Sequence, residues 1–218
     1  MKGDDQRFCD QLIGQTLAGR YMLTGVLGAG GLGAVFDGQH TAVGRRVAIK
    51  LLLPDMRGQD RVLERFHREA RAAAACAKGG VVDILDLDRD PLCGPFIVME
   101  HLAGETLAAR LARDGELPCA EAVRFASDML RTLETVHAQG IVHRDLKPSN
   151  VMLSPGDGPS PRVKIVDFGV ARALDDRLGP ELTVPGLVLG TPGYMALEQA
   201  AASDDVDGRA DVYAVAAI

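Results

Sequence analysis

His143-Arg144-Asp145-Leu146-Lys147-Pro148-Ser149-Asn150 is followed, seventeen residues after Asn150, by Asp167-Phe168-Gly169. Two apolar runs lie between these groups, VML from Val151 and VKIVDFG from Val163, and they flank the Pro-, Gly- and Ser-rich stretch SPGDGPSPR from Ser154 to Arg162. Such a pattern predicts a β-hairpin with a polar loop, not a linker between domains. Upstream of it, TLAARLARDGEL (106–117) and AEAVRFASDMLRTLETVHAQG (120–140) repeat apolar residues at i, i+3, i+4 and i+7, the period of amphipathic helices. Ahead of Gly104 the period changes. YMLTGVLG (21–28), AVFDGQ (34–39) and RRVAIKLLL (45–53) are short apolar stretches separated by Gly-bearing turns, the signature of an antiparallel meander. From Asp60 to Lys78, Val62, Leu63, Phe66 and Ala70 recur at helical spacing, with a stop at Gly79 and Gly80. VVDILDLD and PFIVME then return to strands, divided by the Asp90-Pro91 turn. Five strands and one helix followed by helices predict an α+β chain in two lobes, with a short lead over 1–20, a first lobe over 21–102 and a mainly helical second lobe over 103–218.

Composition narrows the chemistry. Of 218 residues, 47% are apolar and 25% charged, too apolar for a disordered chain. Twenty-four basic and 30 acidic side chains leave a net charge of −6, so the bulk field repels polyanions and argues against non-specific nucleic-acid binding. Cys9, Cys76, Cys93 and Cys119 form no C-x-x-C pair, which removes the usual zinc and redox spacings and fits reduced thiols in a cytoplasmic chain. MKGDDQRFCDQLIG is acidic where a secretory signal is basic, and no apolar run reaches the length of a membrane span. There is no internal repeat.

Gly28-Ala29-Gly30-Gly31-Leu32-Gly33 fits G-x-G-x-x-G, a form that lets backbone N–H groups approach phosphate oxygens without side-chain obstruction. A dinucleotide fingerprint requires a helix directly after the loop, whereas Ala34-Val35-Phe36 continues as a strand, so the loop is predicted to be a hairpin tip. Alone, it fits a ligand-free turn equally well. Lys50, ending the strand Val47-Ala48-Ile49-Lys50, reads by itself as a snorkelling surface lysine, and Glu69 as a solvated helix residue. A buried ammonium nevertheless requires a carboxylate, and Glu69 is the one that the following helix offers.

Taken together and in order, the glycine loop, VAIK, HRD-x-x-x-x-N, DFG, GTPGYMALE and Asp211-Val212-Tyr213 resemble the eukaryotic-type protein kinases, specifically the serine/threonine branch found in bacteria. The resemblance covers nearly everything from Tyr21 to Ile218. It implies ATP and Mg²⁺ as cofactors, protein Ser/Thr hydroxyls as acceptors, and a two-lobed kinase fold. By position, Asp145 resembles the carboxylate that orients the substrate hydroxyl and accepts its proton, and Lys147 the cation on the transferred phosphate. Asn150 and Asp167 resemble the two Mg²⁺ ligands, and Lys50 with Glu69 the pair that sets the α/β-phosphates. Leu27, Val35, Ala48, Met99 and Met152 match the walls of the adenine slot, positions that an ordinary core would also fill, with Glu100 to Leu102 as the hinge at the adenine edge. Gly28, Gly30 and Gly33 match the phosphate loop. The resemblance implies that Lys50, Asp145, Asn150 and Asp167 converge on one metal-bound triphosphate.

Arg144 matches an arginine that reads a phosphate on the activation segment, with Arg65 and Arg172 at two further basic positions. Thr183 is the sole hydroxyl between Gly169 and Gly190, which makes it the expected autophosphorylation site or else a plain loop residue, and autophosphorylation leaves room for a dimer. Thr191 matches the threonine that braces Asp145. Two departures stand out. Ala196-Leu197-Glu198 replaces A-P-E, losing a proline, and the sequence ends inside the apolar helix that normally centres the second lobe. The arginine that pairs with Glu198 in the family is then missing too, a loss of about 3–5 kcal/mol when such a pair is buried, so the second lobe is expected to be unstable as written. An inactive nucleotide-binding or interaction module is the alternative function. A small-molecule phosphotransferase is disfavoured, because such enzymes generally lack the segment between DFG and A-x-E.

Overall fold

The computed structural model describes residues 3–30, 33–76, 80–156, 158, 160–167, 192–201 and 205–218. The chain divides into two compact units, Met1–Ala70 with Asp83–Leu102, and Arg71–Val82 with Ala103–Ile218. The division at Leu102 falls where the strand-rich half of the sequence gives way to the helical half.

The first unit is built on a six-stranded antiparallel sheet. Its strands are β1 Thr16–Leu17, β2 Tyr21–Ala29, β3 Gly33–His40, β4 Arg46–Leu52, β5 Ile84–Asp90 and β6 Gly94–Glu100, in the order β1-β2-β3-β4-β6-β5. Period-two alternation gives the sheet two different faces. Phe36 from β3, Val47, Ile49 and Leu51 from β4, and Phe96 and Val98 from β6 share one core with Leu17, Tyr21 and Leu23. The alternate residues Val35, Ala48, Lys50, Ile97 and Met99 therefore lie on the other face, with Val35 opposite Lys50 and Ala48 opposite Met99. Helix α2, Asp60–Ala75, covers part of that second face, as Val62, Phe66 and Ala70 pack on Leu52 and Ile97.

Two elements go beyond the five strands and one helix expected from the sequence. Helix α1, Gly3–Leu12, and the short strand β1 precede Tyr21, and Cys9, Leu12 and Leu17 are buried in the first core. The stretch ahead of Tyr21 is thus folded into the sheet's core. Helix α2 ends at Ala75, and the expected stop at Gly79 lies outside the described residues.

The second unit contains α3 Leu107–Asp114, α4 Cys119–Ala138, a three-stranded sheet β7 Glu105–Thr106, β8 Val151–Ser154 and β9 Arg162–Ile165, and helices α5 Leu197–Ala200 and α6 Arg209–Ala217. Thr106 starts α3 as its cap, its Oγ1 accepting from the Ala109 N–H at 3.1 Å. Phe125, Met129, Leu133 and Val136, three or four residues apart on α4, give one buried stripe. Phe125, Met129 and Leu133 join Leu107, Leu146, Val151, Ile165, Ala214 and Val215 in the second core, each large side chain contributing about 1.5–3 kcal/mol through burial. The hairpin read from the sequence is present, with Val151 paired to Ile165 and Ser154 to Arg162. The architecture is α+β, and among the described residues no helix is long and apolar enough to cross a membrane.

Candidate active site

In the first unit, the glycine-rich loop is the tip of the β2–β3 hairpin, closed by the Gly30 N–H donating to the Gly33 carbonyl at 2.9 Å. The three glycines expected at phosphate do different work. A Cβ on Gly33 would stand 2.3 Å from the Leu51 carbonyl oxygen, so the packing of β3 on β4 itself demands glycine there. A Cβ on Gly28 or Gly30 would meet nothing within 4 Å, and neither glycine has a positive φ. The fold does not require glycine at 28 or 30; the space beside their backbone suits a ligand that must come close.

On β4, the Lys50 Nζ donates to Glu69 Oε1 of α2 at 2.5 Å, and both side chains are mostly shielded. The snorkelling alternative for Lys50 is excluded by this pair. Val35, Ala48 and Met99 share the face that carries Lys50, while Leu27, 54% exposed, lies at the end of β2 near the hairpin tip. The β4–β6 ladder ends at the pair Val47 with Glu100, so the backbone from His101 onward has left the sheet. Glu100 is anchored to Asp83 twice, through its N–H to the Asp83 carbonyl at 2.9 Å and through its Oε1, which accepts from the Asp83 N–H at 2.8 Å.

In the second unit, the loop from His143 to Asn150 is held by a buried carboxylate. Asp211 of α6 is 1% exposed; its Oδ2 accepts from the His143 N–H and its Oδ1 from the Arg144 N–H, both at 2.8 Å. His137 Nε2 lies 2.8 Å from the same Oδ2. Arg144 takes up a positive φ of 65°, a conformation that these bonds hold in place. Its guanidinium donates to the Val206 carbonyl at 3.0 Å, and its own carbonyl accepts from Gln199 Nε2 at 2.8 Å. His143 is fully buried, and desolvation pushes its pKa below the ordinary histidine value. Its partners fit the neutral ring, Nε2–H donating to the Val166 carbonyl at 3.2 Å and Nδ1 accepting from the Asp145 N–H at 3.3 Å.

This scaffold presents Asp145. Lys147 Nζ donates to Asp145 Oδ2 at 2.8 Å, and Asn150 Nδ2 donates to the Asp145 carbonyl at 2.8 Å. With its amide nitrogen so engaged, Asn150 keeps its side-chain oxygen as an acceptor, which among the described residues takes a long 3.4 Å contact from Ser149. The backbone carbonyl of Asn150 accepts from the Val166 N–H at 2.9 Å, tying Asn150 to the residue before Asp167, whose φ is +56°. Asn150 and Asp167 together offer hard oxygen donors, the set that Mg²⁺ takes alongside waters and phosphate oxygens. Met152 lies on β8, next to Val151 in the core strand.

Three residues to which the sequence reading gives no role of their own support the site. Asp211, quoted there only within Asp211-Val212-Tyr213, sits in a mainly apolar helix, and a carboxylate in such a helix has to be matched by donors, a signal that the sequence carries. His137 and Gln199 give no such signal. Gln199 also accepts from the Ala196 N–H at 3.3 Å, and Leu197 occupies the first position of α5, where proline is favoured only because no N–H is needed. Leu197 is 80% exposed, so losing the expected proline leaves this turn intact. Thr183, Arg172 and Thr191 lie outside the described residues, as does the side chain of Arg65.

The protein kinase domain model matches residues 21–218. Serine/threonine-protein kinase Pkn1 of Myxococcus xanthus is 41% identical over 96% of this chain and 29% of its own length. Pkn3 of the same organism is 38% identical over 96% of this chain and 38% of its own, and PknA of Mycobacterium tuberculosis 37% identical over 94% and 47%. The chain therefore spans less than half the length of these curated relatives. The crystal structure of the M. tuberculosis PknI kinase domain superimposes with a TM-score of 0.70 at 29% identity, covering 93% of this chain and 71% of the other. Motif order, strand and helix order, and the model match from Tyr21 onward agree: the chain belongs to the protein kinase family.

Proposed function

We propose that the protein is a serine/threonine kinase that transfers the γ-phosphoryl group of ATP to hydroxyls of protein substrates. The observation that carries this reading is the presentation of Asp145, whose carboxylate is met by Lys147 on a loop clamped by Asp211. Asp145 orients a serine or threonine hydroxyl and takes its proton late in a loose transfer. Lys147 stabilises the transferred phosphate, the position that favours serine and threonine over tyrosine. Lys50, oriented by Glu69, pairs with the α/β-phosphates, and the backbone at Gly28, Gly30 and Gly33 covers them. Leu27, Val35, Ala48, Met99 and Met152 enclose the adenine, with Glu100 and Leu102 at its edge. Asn150 and Asp167 hold Mg²⁺, which when bound neutralises charge on the phosphates.

Thr183 is the proposed phosphorylation site, read by Arg144 with Arg65 and Arg172, while Thr191 braces Asp145; phosphorylation of one copy by another would make a dimer the activating species. Four free thiols and ATP dependence suit the cytoplasm. The test is incubation with γ-labelled ATP, Mg²⁺ and a general protein substrate beside a Lys50→Met control. Label on serine or threonine in the parent alone supports the reading. Nucleotide binding without transfer favours the non-catalytic module, and label on tyrosine alone overturns the assigned specificity.

A further inference from the structure

The peptide unit between Arg144 and Asp145 is held from both sides. Its carbonyl, on Arg144, accepts from Gln199 Nε2 at 2.8 Å, and its N–H, on Asp145, donates to His143 Nδ1 at 3.3 Å. A peptide unit is a rigid plane, so these two bonds set the direction in which Asp145 leaves the chain. His143 belongs to the loop itself, whereas Gln199 reaches it from α5, 55 residues along the chain from Arg144. The side-chain amide of Gln199 lies between two backbone groups of opposite character. The Ala196 N–H can only donate and approaches Oε1 at 3.3 Å, while the Arg144 carbonyl can only accept and faces Nε2. A carboxylate in its place would serve the first partner and repel the second; an ammonium would do the reverse. The turn that carries Gln199 is anchored in its own small core, where Ala196 packs with Val206 and Ala210. Arg144 stands at φ +65°, a strained conformation for a residue with a side chain, and a cavity lined by Asp145, Lys147, Tyr194 and Gln199 gives the peptide room to turn once released.

We propose that Gln199 is a positioning residue for phosphoryl transfer: the hydrogen bond it donates to the Arg144 carbonyl fixes the peptide from which Asp145 extends, so that α5 sets the aim of the carboxylate at the acceptor hydroxyl. The inference rests on the reading of Asp145 as the residue that takes the hydroxyl proton. Misplacing a reacting group by about 1 Å can cost about 100-fold in rate, and a peptide that turns moves the side chain attached to it on that scale. The bond is made to backbone, away from the residues proposed to meet nucleotide. Its loss therefore falls on the rate of transfer and leaves nucleotide affinity as it is.

Two charged variants separate this role from that of capping α5. Gln199→Glu keeps an acceptor for the Ala196 N–H and loses the donor to Arg144, whereas Gln199→Lys keeps the donor and loses the acceptor. Each is assayed with γ-labelled ATP, Mg²⁺ and a general protein substrate, and kcat is divided by the folded fraction, read from the stoichiometry of nucleotide binding in calorimetry. The expected result is a kcat about 30-fold lower in Gln199→Glu and within about threefold of the parent in Gln199→Lys, with KM for ATP within about twofold in both. A parent-like kcat in Gln199→Glu, or an equal loss in Gln199→Lys, overturns the inference. Should either variant fail to fold, as judged by circular dichroism, Gln199→Met decides, since it removes both bonds and a parent-like kcat there contradicts the role. Asp145→Asn, run alongside, keeps the two readings apart. If Asp145→Asn is inactive and Gln199→Glu is not impaired, the inference alone falls; if Asp145→Asn transfers at the parent's rate, or the parent does not transfer at all, the reading of the site falls with it.

Discussion

The two units hold their candidate residues in opposite ways. In the first, the elements proposed to face phosphate are shaped by what is missing: two glycines have open space beside them, near a lysine that pairs with a glutamate on a neighbouring helix. In the second, the loop around Asp145 is shaped by what is buried: one carboxylate, 1% exposed, accepting from two backbone amides and facing a histidine. The difference teaches where function and stability separate. Residues of the first unit proposed to face ligand should therefore tolerate change without unfolding it, whereas change in the scaffold of the second should cost the loop.

The largest effect should come from Asp211→Ala. It strands the His143 and Arg144 amides, each at about 1–3 kcal/mol, and lowers stability by about 3–5 kcal/mol. Thermal denaturation followed by circular dichroism should then show a Tm lower by about 10 °C. A melt unchanged from the parent would break the comparison from the side of the second unit. Lys50→Met tests the other side: taking the ammonium from a mostly shielded pair should lower Tm, though by less than Asp211→Ala does, while phosphoryl transfer falls about 100-fold or more.

A pair of glycine variants sharpens the contrast within one loop. Gly33→Ala drives a methyl group into the Leu51 carbonyl and should cost about 1–3 kcal/mol of stability. Gly30→Ala, with open space around it, should stay within about 0.5 kcal/mol yet weaken nucleotide binding. Equal losses of stability would show that the loop is structural throughout. The smallest effect is a slope. His143 is buried neutral with its pKa lowered by desolvation, so the unfolded chain takes up the proton first as pH falls. Its contribution is present above about pH 6.5, the ordinary histidine value, and is lost below it by at most about 1.4 kcal/mol per pH unit. Denaturant melts at pH 7.5, 6.5 and 5.5 should show that decline, and His143→Gln should flatten it.

Much of this was readable in the residues. Period-two alternation places Ala48 and Lys50 on one face of their strand, while Val35 joins them only through the register of β3 on β4, and the HRD and DFG groups carry the resemblance from which the candidate site is read. What the sequence concealed depends on partners far along the chain. Phe8, Cys9 and Leu12 form too short an apolar set in an acidic segment to announce α1, whose helix is fixed by burial against the sheet. Asp211 lies 68 residues from the amide it binds, and His137 74 residues from Asp211, separations that no local pattern encodes.

Asp145→Asn, assayed for both nucleotide binding and phosphoryl transfer to protein serine, tests the central claim most directly. The side chain keeps its size and an oxygen for Lys147 but loses its negative charge and with it the capacity to accept a proton. Nucleotide affinity should stay within about threefold of the parent while transfer falls about 10³-fold. Transfer at the parent's rate would contradict the account, because Asp145 would then not be the residue that receives the hydroxyl proton.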